Sequence, residues 1–260
     1  RDAELLLRVT AGPEGPTARA VRLRLPAPRW DGFKGLRIAL LSEHPATRVA
    51  AAVSGPIQEL GEFLTRQGAT VVPARLPFDA TEHDRVYLQL RRAATSMGAF
   101  DDAGHAAAVA EASRLDPDDH SHGAYQLRGS TLTHRDWMLL ENERLRIRGL
   151  WEEFFSRHDL LLCPSAADVA FPQNEQGRRW ERMIDVDGVP MPDVEQLFWM
   201  GFANMGNLPA TVAPIAITDS GLPTSVQIVG PSFGDLSTLR FARLLERSYF
   251  RFRPPSGLEG

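Results

Sequence analysis

The sequence predicts an α/β fold, and three stretches carry that prediction. Gly35 to Val72 reads as strand, helix, strand. Leu160-Leu161-Leu162-Cys163 is a short unbroken apolar run stopped by Pro164, the pattern of a strand covered on both faces. Trp199 to Glu246 alternates breakers with apolar runs, in the order turn, strand, turn, strand, turn, helix.

Taken in order, Leu5, Leu6 and Val9 have helical spacing, and Ala11 to Asp31 is rich in Pro, Gly and Arg. Residues 1–34 are therefore expected to be a lead-in helix and linker, and 35–260 an α/β body. The opening, without Met or a signal-peptide pattern, reads as a processed product or a fragment. Gly35-Leu36 opens a strand over Arg37–Leu41. Ser54 is positioned to cap the next helix, with Pro56 in its first turn. Ile57, Leu60, Phe63 and Leu64 form its apolar stripe, and Gly68 stands where a helix-terminating glycine belongs. A strand at Thr70–Val72 completes a β-α-β unit, which implies two parallel strands with a right-handed crossover.

Asp84 to Met97 reads as a helix, and Phe100 to Gly123 as a short helix and an exposed loop. From Thr133 a long helix is expected to run to about Arg157, with Leu140, Ile147, Leu150, Trp151 and Phe154 on one face. Ala166 to Asp193 has little periodicity, so a functional loop such as a pocket wall or lid is expected. Asn207-Leu208-Pro209 leads into a strand over Ala210–Ile217. Asp219 to Pro223 is a turn, and Ser225–Val229 is a second strand. Asp235 is positioned to cap the last helix.

Composition sets limits. The chain has 260 residues, 43% hydrophobic and 24% charged, enough apolar material for a sizeable core. A net charge of -4 supplies no basic field for nucleic acid or anionic lipid. No apolar run is long enough to span a membrane, and a cytoplasmic location is expected. The single cysteine, Cys163, excludes an intrachain disulfide and a Cys-rich metal site. Lys34 is the only lysine, which nearly empties the pool of lysine bases.

Several groups invite a chemical reading. Gly230-Pro231-Ser232-Phe233-Gly234 matches the G-x-S-x-G nucleophile elbow, but that mechanism needs a histidine after the serine, and the last is His158. His120 and His122, with Asp116, Asp118 and Asp119, supply metal-ligand types at a spacing that fits no structural zinc pattern. Cys163 ends an apolar strand, where burial makes a thiol inert. The residues after the first strand, Ser42-Glu43-His44-Pro45, include no glycine-rich phosphate loop. Phe198, Trp199, Phe202 and Asn204 fit either a ligand-pocket lining or an ordinary core; the pocket reading is strongest for Trp199, and the core reading is favoured for the other three.

Several segments together resemble the C-terminal part of amidase signature enzymes. They are DAELLLRVTAGP at Asp2–Pro13, FKGLRIALL from Phe33, Asp159-Leu160-Leu161-Leu162-Cys163-Pro164, Asn207-Leu208-Pro209-Ala210, and Gly221-Leu222-Pro223 through Val226-Gln227-Ile228-Val229-Gly230-Pro231. Each is weak alone, and their order and spacing carry the resemblance. It implies one α/β domain with a mixed central β-sheet flanked by helices, hydrolysing a small-molecule amide to an acid and ammonia or an amine. The family's chemistry uses a serine, a second serine in a cis peptide and a lysine base, with no cofactor. A Gly-Gly-Ser-Ser-Gly-Gly-Ser loop does not occur in this sequence, so no catalytic residue is assigned. The resemblance implies a C-terminal portion of an amidase, inactive without its catalytic N-terminal half. Its pocket contributors would be Trp199, Phe202, Ser165 and Phe171. Asn207 replaces the family's usual glycine, which predicts a local backbone difference. Open strand edges would favour self-association into a homo-oligomer. A free-standing, non-catalytic binding module is the alternative.

Overall fold

The computed structural model describes residues 2–177 and 179–253. The outermost residues of the predicted 1–260 span, Arg1 and 254–260, lie outside the described residues. Helix α1 (Asp2–Thr10) leads in, followed by a 3-10 turn at Gly15–Arg19. Its Leu5, Leu6 and Val9 are all exposed.

The β-α-β unit forms as expected. Strand β1 (Arg37–Leu40), helix α2 (Ala51–Arg66) and strand β2 (Thr70–Pro73) place β1 and β2 parallel, Arg37 opposite Thr70. Gly68 ends the unit's helix with φ +88, a conformation that costs glycine little. The start of α2 differs from expectation. Its N-cap position is Ala50, and the Ala51 N–H donates to Asp187 Oδ2 at 2.7 Å. A carboxylate from a distant turn does the work of a serine cap, so the helix begins three residues before Ser54. Ser54 is buried within it, and Pro56 lies inside the helix rather than in a first turn.

Helix α3 (Ala80–Thr95) also begins early, because Asp79 Oδ1 accepts from the Glu82 N–H at 2.8 Å. Helix α4 (Asp102–Ala112) is the expected short helix. The expected exposed loop ends at Ser121, which caps an additional helix, α5 (His122–Ser130). Helix α6 (His134–Arg157) matches its prediction, with Thr133 accepting from the Asp136 N–H at 3.1 Å.

Strand β3 (Leu160–Pro164) is buried at all five positions. Residues 166–193, expected to lack regular structure, contain a hairpin of β4 (Met183–Val186) and β5 (Val189–Pro192). Helix α7 (Leu197–Gly206) precedes β6 (Ala210–Ile217) and β7 (Pro223–Val229), and α8 (Asp235–Ser248) closes the order. Trp199 therefore lies in a helix, not in a turn. Asp235 is the first residue of α8 and makes no cap bond; the cap position is Gly234. Its carboxylate still sits favourably on the helix dipole. Asn207 terminates α7 at φ 50 and ψ 45, the left-handed region that glycine and asparagine both reach. That is the conformation a glycine at this position would adopt freely.

The main sheet runs β2-β1-β3-β7-β6. Strands β2, β1 and β3 are parallel, while β7 is antiparallel to both β3 and β6. Sitting between β1 and β7, β3 has both faces covered, which explains its unbroken apolar run. Alternate strand residues face opposite cores. Ala39, Leu161, Cys163 and Val229 join Trp151, Phe154, Trp199 and Phe202 of α6 and α7. Ile38, Leu160, Leu162 and Ile228 join Ile57, Leu60, Leu64, Phe241 and Leu245 of α2 and α8.

Candidate functional site

Ligands of α/β sheets gather at the carboxyl ends of the parallel strands. Here the loop that leaves β1 faces the β4–β5 hairpin across a cleft. Two adjoining hollows of about 510 and 440 Å³ share His44, Pro45, Thr47 and Arg48 as lining. The first reaches Glu43, Val186 and Asp187, and the second reaches Pro190, Met191, Pro192 and Glu195.

His44 Nδ1 accepts the Ala46 N–H at 3.1 Å, which places the proton of the neutral ring on Nε2. Burial lowers its pKa, opposed by Asp79, so the ring is neutral at pH 7. The ring lies 5.3 Å from Phe198. Glu195, in a 3-10 turn at Asp193–Gln196, is half-buried. Burial raises its pKa, and the Arg48 charge opposes that rise. Behind it stands Asp84, on the second turn of α3. Burial, then the charge of Glu195, pushes the Asp84 carboxyl up to about 7. Its Oδ1 is buried and has no hydrogen-bond partner among the described residues. A carboxyl poised near neutrality next to a cleft is a physical marker of a functional group. The neighbouring His83 faces the opposite situation. It stacks on Phe78 at 4.6 Å in an apolar environment, and burial pushes its pKa down to about 3.

None of the four residues expected from sequence lines either hollow. Trp199 and Phe202 have no exposed surface and meet edge-on, with ring centroids 5.9 Å apart. The Trp199 carbonyl accepts from Gln227 Nε2 at 3.0 Å, and the same amide nitrogen contacts Cys163 Sγ at 3.2 Å. Ser165, just beyond β3, shares a 2.8 Å hydrogen bond with Ser225. Phe171 is exposed in the segment before the hairpin. The structure thus joins Trp199 and Phe202 in one core. His44, Arg48, Glu195 and Asp84 went unrecognised in the sequence, since they come from three separate segments with no motif spacing. Asp187-Gly188 between alternating apolar residues was the one usable local signal, because it marks a hairpin.

The remaining chemical readings have structural outcomes. Burial pushes the Cys163 thiol up to about 12, so it is no nucleophile. In the Gly230–Gly234 turn the left-handed residue is Phe233, at φ 60, not Ser232; an elbow would place its strain at the serine. His120 Nδ1 pairs with the Tyr125 hydroxyl at 3.1 Å. Asp116 and Asp119 accept the N–H groups of Asp118 and Ser121, and Arg128 binds the Asp116, Pro117 and Asp119 carbonyls. That loop is built as a stitched turn. Among the described residues no three His, Cys, Asp or Glu side chains converge to hold a metal. No helix among them is long and apolar enough to cross a membrane.

Comparison with known proteins agrees with this architecture. The chain is 26% identical over 270 residues to a glutamyl-tRNA(Gln) amidotransferase subunit of Myxococcus xanthus, covering 97% of this chain and 54% of that one. It is 28% identical over 266 residues to the corresponding subunit of Anaeromyxobacter sp. (strain K), covering 95% and 52%. The chain thus spans about half the length of these relatives. The solved structure of the Thermotoga maritima counterpart of that subunit superposes with a TM-score of 0.66 at 20% identity, covering 98% of this chain and 53% of that one. A 6-aminohexanoate cyclic dimer hydrolase superposes at 0.61, also at 20% identity, covering 98% and 54%. These superpositions carry the shared fold. The model of the Amidase family matches residues 1–239, and on that match this chain belongs to the amidase signature family.

Proposed function

We propose that this chain, across 1–260, is the C-terminal portion of a single amidase domain. It supplies scaffold and substrate-pocket wall for hydrolysis of a small-molecule amide to a carboxylic acid and ammonia or an amine. The catalytic serines and lysine come from a segment outside these 260 residues, on the same gene product or a separate chain. Ser165 and Phe171 contribute to the wall once that segment is in place, and Trp199 and Phe202 contribute from the core by fixing α7 behind it. No metal or organic cofactor takes part.

The observation that carries this reading is the position of the only lysine. A lysine acts as base only when desolvation leaves it neutral. Lys34 is exposed, and its side chain lies over Gly68 at the amino end of β1. The cleft is at the other end of that strand. The open end of the sheet also fits the reading. Among the described residues strand β6 pairs on one side only, and its Val212 and Ile217 are 56% and 40% exposed. An open edge of this kind invites a further strand.

The test is to produce this chain joined to an amidase segment that carries the Gly-Gly-Ser-Ser-Gly-Gly-Ser loop and its lysine. Ammonia release from a panel of primary amides is expected from the folded assembly and not from either part alone. A folded, monodisperse assembly that releases no ammonia contradicts the proposal and favours a non-catalytic binding module.

A further inference from the structure

The β4–β5 hairpin forms one wall of both hollows, yet it is attached to the body by little. Its turn is Asp187-Gly188, with φ 53 and φ 80, the paired left-handed conformation of a tight two-residue hairpin. The hairpin is closed within itself. Asp185 Oδ1 accepts the Gly188 N–H at 2.8 Å, and the Asp193 N–H donates to the Arg182 carbonyl at 2.8 Å across its base. Ile184, Val186 and Met191 pack with Ala50 and Ala167 in a small cluster separate from the two large cores. Among the described residues one polar bond ties its tip to the body, from the Ala51 N–H at the start of α2 to Asp187 Oδ2. Nearby, Asp168 is half-buried, and its carboxyl is raised by burial and then by the charges of Asp187 and Asp185.

We propose that this hairpin is a flap over the cleft, moving as a unit and clasped shut by Asp187 on the first turn of α2. Its opening would expose the floor of the cleft at Thr47, whose Oγ1 is buried without a partner among the described residues. A self-closed hairpin with a small satellite core is the kind of unit that opens below the global unfolding free energy. The inference concerns access to the cleft and stands apart from the identity of the amide.

The chain provides its own silent background for a test, since Cys163 is fully buried. With Thr47→Cys as a probe, maleimide labelling under native conditions reports flap opening. Adding Asp187→Ala is expected to speed labelling about five- to tenfold, the effect of losing one helix cap. Asp187→Asn, which keeps an acceptor, is expected to stay close to the parent rate. Hydrogen exchange of the whole chain separates a flap from general loosening. In Asp187→Ala, amides of 183–192 and of the first turn of α2 exchange faster, while those of β3 and β7 do not change. Equal labelling rates with and without Asp187→Ala would overturn the proposal. So would faster exchange spread evenly through β3 and β7.

Discussion

Replacing Asp84 with asparagine is expected to stabilise the chain at pH 8 and to have almost no effect near pH 4. Unfolded, the carboxyl ionises with a pKa of 3.8; folded, it holds its proton up to about 7. Between those values unfolding releases a proton, so this group makes stability fall as pH rises, and the full penalty is present above 7. At about 1.4 kcal/mol per unit the ceiling is on the order of 4 kcal/mol. His83 acts in the opposite direction. Its pKa falls from 6.5 to about 3 on folding, so its contribution is complete above 6.5 and is lost as pH falls toward 3. Over pH 4 to 6.5 the two slopes oppose each other, and these two groups together leave stability nearly flat. Asp84→Asn then exposes the His83 slope, with stability rising with pH. His83→Leu exposes the Asp84 slope, with stability falling. Urea denaturation at several pH values measures both. Parallel pH profiles for Asp84→Asn and the parent chain would show that Asp84 is not held neutral beside the cleft.

Trp199→Ala is expected to cost about 4 kcal/mol, in the usual range for removing a buried tryptophan. Its indole is wholly buried and packs edge-on against Phe198 and Phe202 at 5.2 and 5.9 Å. Against a typical domain stability of roughly 5–15 kcal/mol, such a loss is large. Trp199→Phe keeps most of the volume and gives up no hydrogen bond, because the indole Nε1 has no partner among the described residues. It is expected to cost about 1–2 kcal/mol. Denaturant midpoints at fixed m-value check both. A change below about 1 kcal/mol for the alanine variant would mean that Trp199 is not a core residue. Its proposed part in the pocket wall would then rest on its own surface rather than on the placement of α7.

Where the sequence reading succeeded, the physics was local or strongly periodic. The run Leu160–Cys163 marked the central strand because a strand between β1 and β7 needs no polar face. Gly68 and Thr133 marked helix ends through backbone chemistry within one turn. Helix α5 was not legible, since tertiary packing supports it. Gly129 lies so close to α3 that a Cβ there would sit 2.7 Å from the Gln89 carbonyl oxygen. Neither Tyr125 nor Ser130, buried on the same helix, announces that contact by spacing. The start of α2 was misread because its cap, Asp187, arrives from a hairpin far along the chain. The cleft was missed for the same reason. His44 and Arg48 follow β1, Glu195 precedes α7 and Asp84 lies on the second turn of α3, and only the folded chain brings them together. The sequence did locate the family, through several short segments in a fixed order.

The central claim is that this chain shapes an amidase pocket without holding the nucleophile. Treating the folded chain with a fluorophosphonate and measuring its intact mass tests this most directly. The claim predicts an unmodified mass after prolonged exposure, for Ser232 as for every other serine. A stoichiometric adduct mapped to Ser232, or to any serine of the folded chain, would contradict it.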